Sequence, residues 1–233
     1  PTAQKLEVID VESMLELAAA GAKILHIRAV EFARRHKVDL VVRSTFSNDP
    51  GTIVLSDEDG VNKMEESIVS GVATDKSQAK ITVIGIPDVP GKAAAVFTTV
   101  AEAGANIDMI VQNTSADGFT DISFTVPKAD MKVAQSIVDD MAVKIGAAGV
   151  ANDDAIAKIS LVGAGMKTSP GIAAKMFRTL ADNDVNIQMI STSTIRISVV
   201  VAAADLERAA RSLHTAFDLD SGQSYSAPLP ERK

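Results

Sequence analysis

The chain has 233 residues, a formal charge of −7 and 46% hydrophobic residues, so it can form one large domain or two to three small ones. The absence of cysteine excludes disulfides, thiolate metal sites and a cysteine nucleophile, and an acidic chain without a cluster of lysine and arginine is a poor partner for nucleic acid. No apolar run approaches the roughly 18 residues that span a bilayer, and the start of the sequence has no signal-peptide pattern. We therefore expect a soluble, cytoplasmic protein without a membrane or nucleic-acid partner.

Residues 1–63 differ in pattern from the rest of the chain. Asp10 is placed to cap a helix over VESMLELAAA, which Gly21 ends, and ILHIRAVEFARRH predicts a second helix. DLVVRSTF then predicts a strand, SNDPGT a turn and SDEDGVNKMEES a linker. Because one strand and two short helices cannot close a domain, we interpret residues 1–63 as the end of a larger α/β domain followed by a linker.

The segment from Lys80 to Met141 is followed by a similar segment from Lys158 to Phe217. A repeat of this length indicates one supersecondary unit used twice, so any site that it forms should come in related pairs. The matching positions are Gly85 with Gly163, Pro90-Gly91 with Pro170-Gly171, Phe97 with Phe177, Asn106-Ile107 with Asn186-Ile187, Met109-Ile110 with Met189-Ile190, and Ile122-Ser123 with Ile197-Ser198.

Each copy predicts a strand, a helix, two strands and a helix. A short β-branched run that ends at Gly85 or Gly163 indicates a buried first strand. Asp88 and Ser169 are placed to cap the helix that follows, with a proline in its first turn. The next two strands are predicted over residues 106–112 and 120–126 in the first copy, and over 186–192 and 195–201 in the second.

The resulting βαββα unit lacks one strand of the ferredoxin-like βαββαβ sandwich. IGAAGVANDDAIA can supply that strand to the first copy, whereas the tail SGQSYSAPLPERK contains two prolines that remove ladder donors. We infer that Ile68 to Thr74 supplies the missing strand of the second module. The predicted fold is therefore α+β, with two ferredoxin-like modules in tandem and the first inserted into the second. The boundaries are 64–78 for the donated strand, 79–155 and 156–225 for the modules, and 226–233 for a polar tail.

Eight stretches cover most of residues 7–217, namely ESMLELAAAGAKILHIRAVEFA, VRSTFSNDPGT, SGVATDKSQAKITVIGIPDVPG, NIDMIVQN, TDISFT, KISLVGAGM, PGIAAKMF and NIQMISTSTIRIS. On these stretches the repeats resemble paired ACT domains, and the chain as a whole resembles the C-terminal regulatory part of aspartokinases, which phosphorylate aspartate from ATP. The stretches occur in the order and spacing of that family.

The resemblance also implies what this chain does not do alone. The Lys- and Gly-rich motif with which aspartokinases hold the nucleotide phosphates is not in this sequence, and phosphoryl transfer depends on such positioning groups. We therefore expect a regulatory fragment or β-type subunit that has no catalytic residues, no metal site and no cofactor, while ATP and Mg belong to the parent kinase. Met64 stands where an internal start would produce such a subunit, which would make residues 1–63 a remnant of the kinase lobe.

An effector site is expected where a helix begins. The helix N-terminus offers free N–H groups to the carboxylate of an amino acid, Gly91 permits close approach, and Asp88 can hold the ammonium group. The resemblance implies that ACT modules pair across a dimer, so that Asp88, Gly91, Ala93, Asp108 and Gln112 face Asn186, Ile187 and Ser193 of the partner. Four further residues complete the candidate set, namely Ile107, Asn113, Gln188 and Thr194.

The identity of the effector is predicted from two positions. Thr194 stands where related chains often have an acidic residue suited to the side-chain ammonium of lysine, and Ala173 where a hydroxyl is common. Since a charged group that loses a buried polar partner costs about 1–3 kcal/mol, threonine is favoured and lysine is the second candidate.

Other interpretations stay open at this point. Helix capping alone explains Asp88 and Ser169, and turns alone explain Asn106 and Asn186. The whole chain could also be an amino-acid-sensing module of another enzyme, or a structural piece that dimerises without binding a ligand.

Overall fold

The computed structural model describes residues 3–56, 69–113, 117–163 and 171–220, which form three sheets. Over these ranges, no helix combines the length and the apolar character needed to cross a membrane. The strands are β1 (Val8–Asp10), β2 (Leu40–Val42), β3 (Thr52–Leu55), β4 (Gly71–Asp75), β5 (Gln78–Pro87), β6 (Ile110–Gln112), β7 (Phe119–Pro127), β8 (Gly149–Asp153), β9 (Ile156–Val162), β10 (Met189–Thr192) and β11 (Arg196–Ala202). The helices are α1 (Val11–Ala19), α2 (Ile27–Arg35), α3 (Lys92–Glu102), α4 (Met131–Ile145), α5 (Ile172–Asp182) and α6 (Leu206–Ala216).

An N-terminal unit is formed by β1, β2, β3, α1 and α2. Its sheet has the order β1-β3-β2, with β1 parallel and β2 antiparallel to β3. Asp10 caps α1 as predicted, since its Oδ1 accepts from the Ser13 N–H at 2.8 Å. The expectation of a single strand was wrong, because β1 and β3 have only three and four residues and form through pairing with each other. Runs this short do not establish a two-residue period in the sequence.

The first module consists of β5, α3, β6, β7, α4 and β8. Its sheet has the order β6-β7-β5-β8 with all neighbours antiparallel, and both helices cover one face. Alternate residues of β5, such as Ile81 and Val83, are fully buried beneath α3 and α4 together with Phe124 of β7. This is the predicted ferredoxin-like sandwich.

The second module repeats this arrangement with β9, α5, β10, β11 and α6, and β4 completes its sheet in the order β10-β11-β9-β4. β4 pairs antiparallel with β9 from Gly71 opposite Val162 to Asp75 opposite Lys158. The predicted fold class, with the first module inserted into the second, is therefore confirmed. The strand begins at Gly71, and Ile68 lies outside the described residues. The domain boundaries themselves stay predictions.

β4 and β8 are equivalent strands that the two modules exchange. β4 directly precedes β5 but pairs with β9, whereas β8 directly precedes β9 but pairs with β5. The sequence carries a signal for this relation that the repeat analysis missed, because GVATD of β4 matches GVAND of β8. Each module thus completes its sheet with the strand that leads into the other one.

The modules also meet through two equivalent side-chain contacts. Lys158 of β9 forms an ion pair with Asp108 of the first module, and Lys80 of β5 donates to the Gln188 side chain of the second. The Lys158 side chain is 2% exposed and the Asp108 side chain is 28% exposed. A small apolar cluster lies between the same surfaces and contains Met109, Ile156, Met189 and Val200.

We predict that the Asp108–Lys158 contact contributes more to the free energy of unfolding than the equivalent Lys80–Gln188 contact. Replacing Asp108 with Ala removes the ion-pair partner of the buried Lys158 charge and leaves only the longer-range attraction of Asp75, so we expect the free energy of unfolding to fall by about 3 kcal/mol. Gln188→Ala is the matched control, because it removes a neutral partner from the half-buried Lys80 and should cost about 1 kcal/mol or less. Urea denaturation measures both, and equal losses would contradict the buried charge as the cause.

Asp75 fixes the turn between β4 and β5. Its carboxylate accepts from the Ser77 N–H at 2.7 Å, the Ser77 hydroxyl at 2.6 Å and the Gln78 amide at 3.1 Å. Burial alone would raise the pKa of Asp75, but these hydrogen bonds and the nearby Lys158 charge outweigh it and hold the pKa below the usual value of 3.8.

This lowered pKa predicts a pH-dependent contribution to stability. Because the folded-state pKa of Asp75 lies below its unfolded value, its contribution is present above the unfolded pKa of 3.8 and is lost as the pH falls through the folded value. The free-energy difference between the wild type and Asp75→Asn should therefore be largest at about pH 6 and shrink below pH 3.8. Urea titrations at several pH values test this, with exposed Asp154→Asn as the control for net charge. A pH-independent difference would overturn the assignment.

Candidate functional site

A cavity of about 310 Å³ lies in the first module where α3 begins. Its walls come from the end of β5, the β5–α3 loop, the first turn of α3, and strands β6 and β7. The lining residues are Ile86, Pro87, Asp88, Val89, Pro90, Gly91, Lys92, Ala93, Gln112, Thr120 and Ile122. Four of the predicted site residues are brought together here, namely Asp88, Gly91, Ala93 and Gln112.

Gly91 sets the start of α3 and changes the interpretation of Asp88. Gly91 is the residue before the helix and has a φ of 95°, a backbone conformation that favours glycine, and no side chain caps the helix. The prediction that Asp88 caps α3 was therefore wrong, because the helix begins later than the capping pattern indicated. The Asp88 N–H donates to the Gly118 carbonyl at 2.9 Å, and its side chain is exposed beside the cavity. The carboxylate is thus available to a ligand.

The polar groups around the cavity have distinct roles. Lys92 Nζ donates to the Ile145 carbonyl at 2.9 Å, so it secures the helix start to α4. The Thr120 hydroxyl donates to the Asn113 carbonyl and holds the end of β6 against β7. Gln112 is exposed on the edge strand β6. Asp88 and Gln112 therefore remain to face a bound molecule, above an apolar floor that includes the buried Ile86 and Ile122.

The remaining candidates of the first module do not line this cavity. Ile107 is half-buried and packs against the core of its module. Asp108 forms the ion pair with Lys158, so its carboxylate serves the contact between modules. Asn113 contributes its backbone carbonyl to Thr120.

The candidates of the second module lie around the start and the end of β10. Asn186 is exposed, Ile187 packs against the core, and Gln188 accepts from Lys80. Ser193 and Thr194 form the exposed turn between β10 and β11. The lining of the cavity contains none of these five residues, so the structure does not join the two halves of the predicted site within one chain.

Sequence reasoning missed several residues that shape the cavity. Pro87, Lys92 and Thr120 line it, and the apolar walls include Ile86 and Ile122. The position of Pro87 could have been predicted from the run IGIPDVPGK, because a buried strand that ends in two prolines must turn there. The position of Thr120 depends on the pairing of β7 with β5, which a single sequence does not show.

The corresponding helix start in the second module is described only from Gly171 onwards, and the predicted cap Ser169 lies outside the described residues. Gly171 precedes α5 with a φ of 100°, which matches Gly91. Over the described ranges, His, Asp and Glu side chains nowhere gather in a group of three that could hold a metal ion.

Comparisons with known proteins agree with this architecture. The model of the ACT domain family matches residues 81–141 and 159–217, which are the two repeats. The aspartokinase of Corynebacterium glutamicum is 52% identical over 221 residues, which cover 94% of this chain and 52% of that protein. The chain thus spans about half the length of this curated relative.

Two solved structures match about two thirds of this chain. A chain from a structure of aspartokinase alpha and beta subunits is 49% identical, with a TM-score of 0.61, over 64% of this chain and 99% of that one. The ligand-free regulatory subunit of aspartate kinase from Thermus thermophilus is 41% identical, with a TM-score of 0.62, over the same shares of the two chains. The chain therefore belongs to the aspartokinase family, of which it represents the tandem ACT-domain regulatory part.

Proposed function

We propose that the chain binds a free amino acid, with threonine favoured over lysine, and that binding inhibits the aspartokinase to which this regulatory part belongs. The observation that carries the proposal is the cavity at the start of α3, where the Asp88 carboxylate is exposed and caps no helix. ATP and Mg would be bound by the catalytic part of the parent enzyme.

The cavity matches the three parts of an amino acid. The N-terminus of α3 presents free N–H groups and the positive end of the helix dipole to the α-carboxylate. Asp88 can accept charge-assisted hydrogen bonds from the α-ammonium, and Gln112 can orient either group. Ile86, Ala93 and Ile122 leave an apolar space for the side chain.

The residues that line the cavity also favour an amino-acid ligand with a short, uncharged side chain. Asp88 is the one carboxylate among the residues that line the cavity. If it holds the α-ammonium, the second ammonium of lysine finds no acidic partner there, and burying an unpaired charge is costly. Threonine brings a methyl and a hydroxyl group of a size that the apolar space can hold.

A second copy of the chain would complete the site. β6 and β10 are edge strands, and their equivalent residues Ile110 and Ile190 are 49% and 43% exposed. Pairing of such edges across two chains would cover these side chains and bring Asn186, Ile187 and the Ser193–Thr194 turn of the partner towards the cavity of the first chain. We also propose assembly with a longer catalytic chain, and the relative solved as alpha and beta subunits supports association of two kinds of subunit.

Inhibition would follow as a shift in population. An amino acid that binds one quaternary or inter-domain arrangement of the enzyme better than another shifts the equilibrium by its difference in affinity, and by no more than that. The attached kinase lobe would then be held in the less active arrangement.

Asp88→Ala should remove binding without unfolding the protein. Loss of a hydrogen-bonded charge partner is expected to weaken threonine binding by about tenfold to a hundredfold. Because Asp88 caps no helix, the melting temperature without ligand should stay that of the wild type. Isothermal calorimetry measures the affinity, and exposed Asp154→Ala is the control. Unchanged threonine binding in Asp88→Ala would refute the site.

Thr194 should decide between threonine and lysine. A ligand present at about 100 times its Kd stabilises the native state by about 2.7 kcal/mol, so thermal shifts with a panel of amino acids identify the effector. We expect threonine to give the largest shift, and Thr194→Glu to increase the shift with lysine. Tighter binding of lysine than of threonine by the wild type would contradict the assignment, and no shift with any amino acid would favour a structural dimerisation role.

A further inference from the structure

Helix α1 of the N-terminal unit lies across one end of the sheet of the second module. A row of paired residues crosses three strands of this sheet and consists of Arg196 of β11, Val162 of β9 and Gly71 of β4. Glu16 of α1 meets Arg196 at one end of this row, with Oε2 at 3.0 Å from Nη1. At the other end Leu17 covers Gly71 so closely that an added Cβ would lie 3.3 Å from Leu17 Cδ2.

The Glu16–Arg196 contact is shielded from water. The two side chains are 24% and 17% exposed, so their attraction is screened less than that of a surface pair. Arg196 Nε is buried and has no hydrogen-bond partner among the described residues, and the 3.0 Å approach of Nη1 to Oε2 is not an aligned hydrogen bond. The contact is therefore an electrostatic attraction whose free energy depends on the distance between the two charges, and so on the position of α1.

Arg196 is tied directly to the turn that carries Ser193 and Thr194. The Ser193 N–H donates to the Arg196 carbonyl at 2.8 Å and closes the β10–β11 turn. The Gly163 N–H donates to the Ile195 carbonyl at 3.0 Å and holds the same turn against the end of β9. A displacement of the turn is therefore passed through two residues of hydrogen-bonded backbone to Arg196, rather than absorbed by a flexible loop.

The first module lacks this connection although it has the equivalent position. Asp121 corresponds to Arg196 in the repeat, and its carboxylate accepts from the Gly85 N–H at 2.8 Å within its own sheet. The two copies thus differ in charge at the place where the second one contacts the N-terminal unit. Duplication alone does not account for that difference.

We propose that Glu16 and Arg196 form the contact that changes the position of α1 when an amino acid in the cavity of one chain meets the β10–β11 turn of a second chain. The proposal rests on the proposed function, and it assigns the transmission step to named residues. Arg196 is a positioning residue, because it acts on α1 through its side chain and does not itself touch the amino acid. Because α1 is part of the N-terminal unit, a change in the position of α1 changes the structure of that unit.

The test is hydrogen exchange of the 233-residue chain with and without threonine, and separately with lysine. The variants are Glu16→Gln and Arg196→Gln, and the matched control is Glu12→Gln. Glu12 lies one turn earlier on the same helix and pairs with Arg34 inside the N-terminal unit at 2.9 Å. Calorimetry on the same samples reports the affinity for each amino acid.

In the wild type and in Glu12→Gln, bound ligand should change the exchange rates of α1 amides by at least about fivefold, the lower end of usual allosteric coupling. In Glu16→Gln and Arg196→Gln the ligand should still bind while this change is lost. The charge exchange Glu16→Arg with Arg196→Glu should restore part of the change, which a general loss of folding would not allow.

Binding by the wild type with no change at α1, or a full change in Glu16→Gln, would overturn this inference and leave the proposed function intact. Absence of amino-acid binding by the wild type would overturn the proposed function, and the inference with it.

Discussion

The exchange of edge strands between the two modules is the constraint on which the rest of the structure depends. β4 and β8 each lead into one module and complete the sheet of the other. Neither sheet has its fourth strand unless both modules are folded and docked, so an unpaired edge would appear in each if they separated. The two connections are short and are fixed by equivalent carboxylates, because Asp75 accepts from Ser77 and Asp153 accepts from the Ala155 N–H at 2.9 Å. The modules therefore act as one body with an internal pseudo-two-fold relation.

That relation changes the meaning of two predicted site residues. Asp108 and Gln188 occupy equivalent positions, and each binds the lysine at the equivalent position of the other module. As ligand groups they would have to leave these contacts, and the buried Lys158 charge would then lose its ion-pair partner. A role in joining the modules is the simpler account of both residues. The proposed binding role then rests on the cavity and the turn, which remain free of such contacts in the described part of the chain.

The sequence predicted those features that local patterns encode. Repeated β-branched runs, helix starts and the prolines of the tail were enough for the two sandwiches and for the insertion of one into the other. The start of α3 was misplaced because Asp88 and Pro90 have the composition of a helix cap, whereas the left-handed backbone of Gly91 places the first turn later. The contacts of Asp108 and Arg196 could not be predicted, because their partners, Lys158 and Glu16, lie far away in sequence and follow no spacing rule. Long-range pairing decides these positions, and one sequence does not contain it.

The differences between the two copies are more informative than their similarity. A perfect duplicate would have the same charge at positions 121 and 196, and the two modules would then be equivalent towards the N-terminal unit. Instead Asp121 stabilises its own strand, and Arg196 reaches outward to α1. The described cavity belongs to the first module, while the contact to the N-terminal unit belongs to the second. Because strand exchange holds the modules in a fixed relation, the proposed recognition by the first module and the proposed transmission by the second require no rearrangement between the modules.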